Sequence, residues 1–191
     1  AQALEVYLKH DAWTWEHQAF VRARVGEGAP ELFTHVEALR AEVLSTRRDD
    51  VSLADDFTAV RQKMRVQLPA VVDASHRVAP KYGRGGIVDI EFVVQYLVLK
   101  YAAHYPDVGR WSDVVRILEA LEACRILSSS DANSLKEAYL GLRSSVHRAA
   151  VSKASDGDSV ETDDLMKQAS AVCTRLPVSY THLRAHETCH N

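Results

Sequence analysis

Residues 87 to 101 read IVDIEFVVQYLVLKY, and this stretch decides the fold class. Its apolar residues fall on nearly every side of a helix, which is typical of a helix buried in a core rather than one at the surface. The β-branched residues would also permit a strand, but fifteen residues exceed the usual strand length. The pattern therefore predicts a buried central helix near residues 87–102.

Helical spacing of apolar residues continues on both sides of this segment. Pro30 suits the first turn of a helix, and apolar residues follow it at spacings of two, four, three and four. Ser52 and Ser112 are expected N-caps, because their side chains can accept the first free N–H groups of a helix. Further stripes cover residues 12–25, 135–146 and 162–176, while 69–86 form the main break, with room for an extended piece around Val71–Val72. The sequence therefore predicts an all-α fold, a helical bundle of about six to seven helices.

Composition limits the classes of partner. The net charge of −3 gives no global reason to expect a nucleic-acid partner. No apolar run approaches the roughly 18 residues that a membrane span needs, and the three cysteines have neither metal nor disulfide spacing. We therefore expect a cytoplasmic protein, with no membrane and no nucleic acid among its partners. The first residue is not Met, so we also expect a fragment of a longer protein.

The residues before the central helix, KYGRGG at 81–86, contain three glycines in four positions. They do not form a P-loop, since no Gly-Lys-Ser/Thr follows, and they lack the third glycine of a dinucleotide-binding fingerprint. Glycines that precede a helix can leave backbone N–H groups free for an anion, and Lys81 and Arg84 would strengthen such a site. The residues alone favour the alternative, a tight turn that allows close packing at the helix entry.

The central helix also carries polar side chains. Asp89 and Glu91 lie two residues apart, about 200° around a helix, so they cannot share one metal ion. Glu91 and Gln95 are four apart and share a face. Because a buried acid is costly without a partner, we expect a structural ion pair or an organised cleft. The candidate cations are Arg22, Arg24, Lys63 and Arg65.

Two apparent metal motifs are rejected. Asp156-Gly-Asp158 lacks the further ligands of a calcium loop and is predicted to be a linker. His182, His186 and His190 stand at helical spacing beside Cys189, which would suit zinc. However, VSYTHLRAHET closely resembles a peptide produced when sequencing-adaptor DNA is translated in error. We predict that residues 177–191 are a non-native tail and that the chain has no metal site of its own.

Four motifs in order carry a family resemblance: WTWEHQAFVRARV (13–25), RQKMR (61–65), KYGRGGIVDIEFVVQYLVLKYA (81–102) and RWSDVVRILEAL (110–121). They resemble glutamine synthetase adenylyltransferase, the bifunctional adenylyltransferase/adenylyl-removing enzyme of bacteria. That family has two nucleotidyltransferase halves, one attaching AMP to a tyrosine of glutamine synthetase and one removing it by phosphorolysis. In each half a helical domain follows the catalytic core. The WTWEHQ wording and Asp89 look like the adenylylating, C-terminal half.

The resemblance implies that residues 1–176 are such a helical domain. Its partners would be glutamine synthetase, the PII signal protein and the upstream nucleotidyltransferase core of the same chain. That core would bind Mg²⁺ and ATP, since no Gly-Ser or Gly-Gly turn followed by Asp-x-Asp occurs here. The fragment alone would then be inactive and hold no catalytic residue. Cleft- or nucleotide-facing positions would be Lys81, Gly85, Gly86, Asp89, Glu91 and Gln95, supported by Arg22, Arg24, Lys63 and Arg65.

Two other functions stay open at this point. The first keeps the family but assigns the chain to the adenylyl-removing half, or to the related uridylyltransferase that modifies PII. The second is a non-enzymatic helical interaction module.

Overall fold

The computed structural model describes residues 2–26, 29–67, 79–151 and 159–176. In this part of the chain there are eight α-helices, one 3₁₀-helix and no strand, so the predicted all-α fold is confirmed. The α-helices are α1 Gln2–His10, α2 Thr14–Phe20, α3 Pro30–Leu44, α4 Asp50–Gln67, α5 Ile87–Tyr101, α6 Val114–Ala123, α7 Ser129–Val151 and α8 Ser159–Arg175. The 3₁₀-helix, Pro106–Gly109, precedes α6. None of the described helices is both long enough and apolar enough to cross a membrane.

The predicted central helix is α5. Every residue from 87 to 99 is buried except Glu91, which is half-buried. Its β-branched residues do not prevent the helix, because burial on all sides stabilises it far more than intrinsic propensity disfavours it.

The chain folds as two compact units. The first contains the described residues up to 60 and those from 94 to 132, and the second contains 61–93 and those from 133 onward. In the first unit, α1 and α2 pack on α3, and Leu8, Leu39 and Val43 form a core cluster. Phe57 and Tyr96 of the same unit meet edge to face, with ring centroids 5.5 Å apart.

The second unit is built around the start of α5, most of α7, and α8. Buried residues repeat along both later helices at helical spacing: Leu135, Ala138, Tyr139 and Leu142 on α7, and Met166, Ala169, Val172 and Cys173 on α8. A Cβ atom at Gly141 of α7 would lie 2.5 Å from the side chain of Leu165, so the two helices approach closely there. Burial of these stripes is what holds the helices of this unit together.

The structure corrects several predicted helix ends. Helix α4 begins at Asp50, and the Asp49 carboxylate accepts the Ser52 N–H at 2.8 Å, so Asp49 occupies the capping position predicted for Ser52. Asp113 caps α6 instead of Ser112, accepting the N–H groups of the next helical turn at 3.0 and 3.2 Å. In both cases an adjacent aspartate, which is at least as good a cap as serine, takes the role.

The first segment is also divided differently from the prediction. Residues 12–25 were predicted as one helix, but α2 ends at Phe20. The reason is that the Val21 carbonyl accepts a hydrogen bond from Arg40 and is therefore engaged outside the helix. Helix α1 was not predicted. The extended piece at 71–72, the linker at 156–158 and the tail at 177–191 lie outside the described residues.

Candidate functional site at the glycine turn

The turn before α5 requires glycine at two successive positions. Gly85 has φ of +71°, a conformation that side chains with a Cβ atom rarely adopt. A Cβ atom there would lie 1.9 Å from the Met166 carbonyl oxygen, which means that the turn touches the backbone of α8. At Gly86 a Cβ atom would lie 2.4 Å from the Pro80 carbonyl oxygen. The glycines therefore serve close packing, the alternative that the residues alone favoured.

The N–H groups at this turn have acceptors within the chain. Gly86 donates to the Gly83 carbonyl at 2.9 Å, Ile87 to Pro80 at 3.0 Å and Val88 to Lys81 at 3.1 Å. The Gly85 N–H donates to the Asp89 carboxylate at 2.9 Å. The start of a helix normally leaves four N–H groups without partners, but here carbonyls of the preceding turn accept those of Ile87 and Val88. The expectation of free N–H groups for an anion is not met for residues 85 to 88.

Asp89 is the centre of a buried charged cluster, which we call the Asp89 cluster: Asp89, Arg61, Arg65 and the Gly85 N–H. Arg61 Nε lies 2.6 Å from Asp89 Oδ1, and the two side chains are 1% and 3% exposed. Arg65 Nη2 lies 3.3 Å from Oδ2 and is 24% exposed. A buried carboxylate is stable only when charges and hydrogen bonds compensate it, and this one has both.

Arg61 joins three parts of the second unit. Besides Asp89, its guanidinium donates to the Tyr82 carbonyl at 3.1 Å and lies 5.8 Å from the centre of the Phe92 ring. It therefore connects α4 to the turn and to α5. Arg65 was among the predicted cations, whereas Arg61 was not. The signal was present in RQKMR, since residues four apart share one helix face.

Glu91 points to a different helix, as its spacing from Asp89 predicted. Its Oε1 accepts a hydrogen bond from the Tyr139 hydroxyl of α7 at 3.3 Å. Arg143 in turn donates to that hydroxyl at 3.2 Å and lies over the Tyr139 ring. The two acids of α5 thus anchor separate neighbours, Asp89 the turn and α4, Glu91 the helix α7.

The other predicted site residues do not join the Asp89 cluster. Lys81 is exposed, with Nζ 5.1 Å above the Tyr82 ring. Gln95 belongs to the first unit, where its buried amide oxygen accepts a hydrogen bond from Gln18 at 2.8 Å. Arg22 and Arg24 also belong to the first unit, after α2, and Lys63 lies exposed on α4.

A buried cysteine adjoins the cluster. Burial and the nearby Asp89 charge raise the pKa of the Cys173 thiol to about 12, so it stays protonated at neutral pH and is a poor nucleophile. Among the described residues there is no group of three His, Cys, Asp or Glu side chains that could hold a metal ion. The cluster is thus suited to fixing backbone geometry, and none of its members is arranged as a nucleophile.

Two known protein families match parts of the chain. Residues 60–184, more than half of the chain, match the family model described as GlnD PII-uridylyltransferase. The chain belongs to this family. Residues 1–39 match a second model, described as glutamate-ammonia ligase adenylyltransferase, where glutamate-ammonia ligase is another name for glutamine synthetase.

The two matches confirm the resemblance seen in the sequence motifs. The first includes Arg61, the glycine turn, all of α5 and Asp89, and the second includes the WTWEHQ motif. Both families are nucleotidyltransferases, and together they fit a helical domain of an adenylyltransferase of the glutamate-ammonia ligase type. The chain is therefore related in function to adenylyl- and uridylyltransferases.

Proposed function

We propose that this chain is the helical portion of an enzyme that transfers AMP from ATP to a tyrosine of glutamine synthetase. The observation that carries the proposal is the order of the two family matches. The adenylyltransferase match at 1–39 comes first, and the longer match to the PII-uridylyltransferase model at 60–184 follows in the same chain. The enzyme would act in the cytoplasm and regulate nitrogen assimilation.

In this proposal the chain supports catalysis without performing it. Mg²⁺ and ATP would be held by a nucleotidyltransferase core joined to this chain. The Asp89 cluster would keep the turn at 79–86 in one conformation, so that Lys81 and Arg84 occupy fixed positions at the surface. A preorganised surface costs less entropy when a second domain or nucleotide binds to it.

A uridylyltransferase that acts on PII is the second candidate. The length of the match to the PII-uridylyltransferase model, residues 60–184, favours it. The match at 1–39 favours adenylyl transfer. An adenylyl-removing enzyme and a non-enzymatic module remain further alternatives.

A labelling assay with two nucleotides and two acceptors separates these functions. The natural full-length protein is incubated with Mg²⁺ and either α-³²P-ATP or α-³²P-UTP, in the presence of glutamine synthetase or PII. We expect label only with ATP and glutamine synthetase, on tyrosine. Label from UTP on PII would replace the proposal with the second candidate. Release of ADP from pre-adenylylated glutamine synthetase when inorganic phosphate is added, without forward transfer, would identify the removing half.

The chain of 191 residues is assayed beside it. We expect no transfer from this chain alone, because phosphoryl charge in the transition state would go without its metal. Reproducible Mg²⁺-dependent labelling by the chain alone would show that it contains its own active site.

A further inference from the structure

Exposed apolar side chains are concentrated at the start of the chain. Of the thirteen large hydrophobic residues that are exposed in the described ranges, seven lie within residues 1–39, which are about a fifth of the sequence. Single exposed apolar residues are normal at a protein surface, whereas a concentration of them marks a surface that another molecule covers. This part of the first unit, from α1 to the start of α3, therefore carries a candidate interface.

Helix α1 has an apolar side that faces solvent. Leu4, Val6 and Tyr7 are 42%, 52% and 41% exposed. Lys9, which is the only lysine or arginine of this helix, faces α3 instead, and its Nζ lies 2.8 Å from a carboxylate oxygen of Glu42 on α3. A helix whose outer side meets only water carries charged and polar residues there. The outer side of α1 thus departs from the pattern of a solvent-facing helix.

The apolar side of α1 continues into the residues before α2. The Tyr7 hydroxyl donates to the Glu16 carboxylate, and the Trp13 N–H donates to the same carboxylate at 2.9 Å. Trp13 therefore lies beside this end of α1, and it is 73% exposed. We call Leu4, Val6, Tyr7 and Trp13 the α1 face. Trp13 and Tyr7 alone expose on the order of 250 Å², so the whole face reaches the few hundred Å² at which an apolar patch marks an interaction site.

Two observations indicate what covers the α1 face. All four of its residues lie within the match to the adenylyltransferase model, residues 1–39, so the face belongs to the part of the chain that matches a transferase. A membrane surface is disfavoured, because helices that lie on membranes use Lys and Arg to attract anionic lipid, and Lys9 is already bonded to the carboxylates of Glu5 and Glu42. The expected occupant is therefore another part of the same transferase.

We propose that the nucleotidyltransferase core joined to this chain docks on the α1 face, with Trp13 as the main anchor. The inference rests on the proposed function for the existence of that core. A core joined before Gln2 meets the described structure at the first turn of α1, next to Leu4. Because the two parts share one polypeptide, each is present to the other at an effective concentration of about millimolar, so an apolar patch of this size suffices to hold them together. Tryptophan is also enriched among the residues that carry most of the binding energy of an interface.

The test is hydroxyl-radical labelling of side chains, read by mass spectrometry, in the natural full-length protein and in the chain of 191 residues. Trp13 should be labelled at least about fivefold more slowly in the full-length protein, because the centre of an interface excludes water. Trp111 is 38% exposed and lies outside the α1 face. Its labelling rates in the two proteins should agree within about twofold, because it stays in contact with solvent.

Val6→Glu and Val51→Glu, made in the full-length protein, are the matched variants. Both valines are exposed helical residues of the first unit, at 52% and 68%, and both changes add the same charge. Val6→Glu should raise the labelling rate of Trp13 by about threefold or more, because a charge would have to be buried at the interface, whereas Val51→Glu should leave that rate unchanged. In the chain of 191 residues both variants should melt within about 2 °C of the unchanged chain, as expected of surface substitutions.

Equal labelling of Trp13 in the two proteins would overturn the proposal, and so would an equal effect of the two valine variants. Protection of Trp13 in the chain alone that grows with protein concentration would also overturn it, since a second copy would then be the occupant. The labelling does not require transfer activity. AMP transfer without protection of Trp13 would therefore overturn this inference alone, and protection without AMP transfer would overturn the proposed function alone.

Discussion

Each of the two units buries an arginine, and the two arginines bind different kinds of partner. Arg61 in the second unit is 1% exposed and pairs with the Asp89 carboxylate. Arg40 in the first unit is 3% exposed, and it donates to backbone carbonyls, those of Val21, Gly109, Arg110 and Trp111. Burial lowers the pKa of Arg40, but an arginine pKa starts so high that the group stays charged.

The difference shows two ways of placing a cation in a helical protein. Arg61 is one half of a charge pair. Removal of Arg61 would take a counter-charge from the buried Asp89 carboxylate, and removal of Asp89 would take the counter-charge from the buried Arg61 guanidinium. Arg40 binds neutral carbonyls at and just after the end of the 3₁₀-helix and at the end of α2, where regular helical hydrogen bonds stop. Its removal would leave several carbonyls without donors. The two sites should therefore respond differently to the same kind of mutation.

The largest effect is expected at Asp89. Asp89→Ala should lower the free energy of unfolding by about 3–5 kcal/mol, because Arg61 would remain buried without a counter-charge. Urea unfolding at neutral pH measures this, with Asp164→Ala as the control. Asp164 pairs with Lys167 at the surface, and its loss should cost less than about 1 kcal/mol.

A double variant sharpens the same point. Arg61→Met combined with Asp89→Ala removes both charges of the pair, so its cost should be smaller than the sum of the two single costs by about 1–3 kcal/mol. Strict additivity would mean that the two side chains do not act as a pair.

The glycine turn should show the next largest effect. Gly85→Ala is expected to cost about 2–4 kcal/mol, since it combines an unfavourable positive φ with a collision against the backbone of α8. Gly26→Ala is the control, because a Cβ atom at Gly26 has no neighbour within 4 Å, and its effect should stay within about 0.5 kcal/mol. Thermal melts of both variants make the comparison. A similar small effect at both positions would show that the turn and α8 can move apart.

Arg40 should follow, with a cost of about 2–3 kcal/mol for Arg40→Met. The carbonyls that lose their donor are partly buried, and each unsatisfied group is destabilising. For Arg61, removal of the Asp89 side chain can offset part of the loss. For Arg40, no second side-chain removal can do so, because the acceptors are backbone carbonyls. Arg40→Lys should recover less than half of the loss, since one ammonium group cannot reach the carbonyls that a planar guanidinium bridges. Full recovery by lysine would show that charge alone matters at this site.

The same comparison explains which features the sequence could predict. Helix α5 was predicted correctly because a run of fifteen mostly apolar residues after a glycine turn is compatible with few structures other than a buried helix. The start of α3 at Pro30 was correct for a similarly local reason. The need of Asp89 for a cation was predicted from burial, and Arg65 was among the candidates.

Long-range pairs to neutral partners could not be predicted. Arg40 binds carbonyls about 70 positions away, and Gln18 pairs with Gln95 across 77 positions. Carbonyl acceptors are present at every residue, so no residue type marks the ones that are used. Helix α1 was not predicted. Only Leu8 of its nine residues is buried, and a single buried side chain does not produce a repeating apolar stripe in the sequence.

The smallest effect is expected at His17 in the first unit. His17 Nε2 lies 2.8 Å from the Leu8 carbonyl oxygen, and Nδ1 lies 3.1 Å from Arg48 Nη2. Neutral imidazole satisfies both contacts, with Nε2–H donating to Leu8 and Nδ1 accepting from Arg48. Burial, and next the charge of Arg48, lower the pKa of His17, while its contact with Leu8 and the charge of Glu16 oppose this shift.

Because the folded pKa lies below the unfolded value of about 6.5, His17 should make stability depend on pH in one direction. At pH values above the unfolded pKa, His17 is neutral in both states and its contribution to stability is constant. As the pH falls below the unfolded pKa, the unfolded state binds the proton first, so the folded state loses stability. This loss ends once the pH is below the folded pKa. Between pH 7.5 and 5.5 the unchanged chain should therefore lose more stability than His17→Gln, by less than about 1.4 kcal/mol, the limit for one proton bound by the unfolded state alone, as measured by urea unfolding at each pH. Glutamine retains an N–H donor for the Leu8 carbonyl but does not titrate, which isolates the protonation step from the loss of a hydrogen bond. A gain of stability in the unchanged chain at low pH, relative to the variant, would mean that Glu16 stabilises a protonated His17 more than burial and Arg48 oppose it.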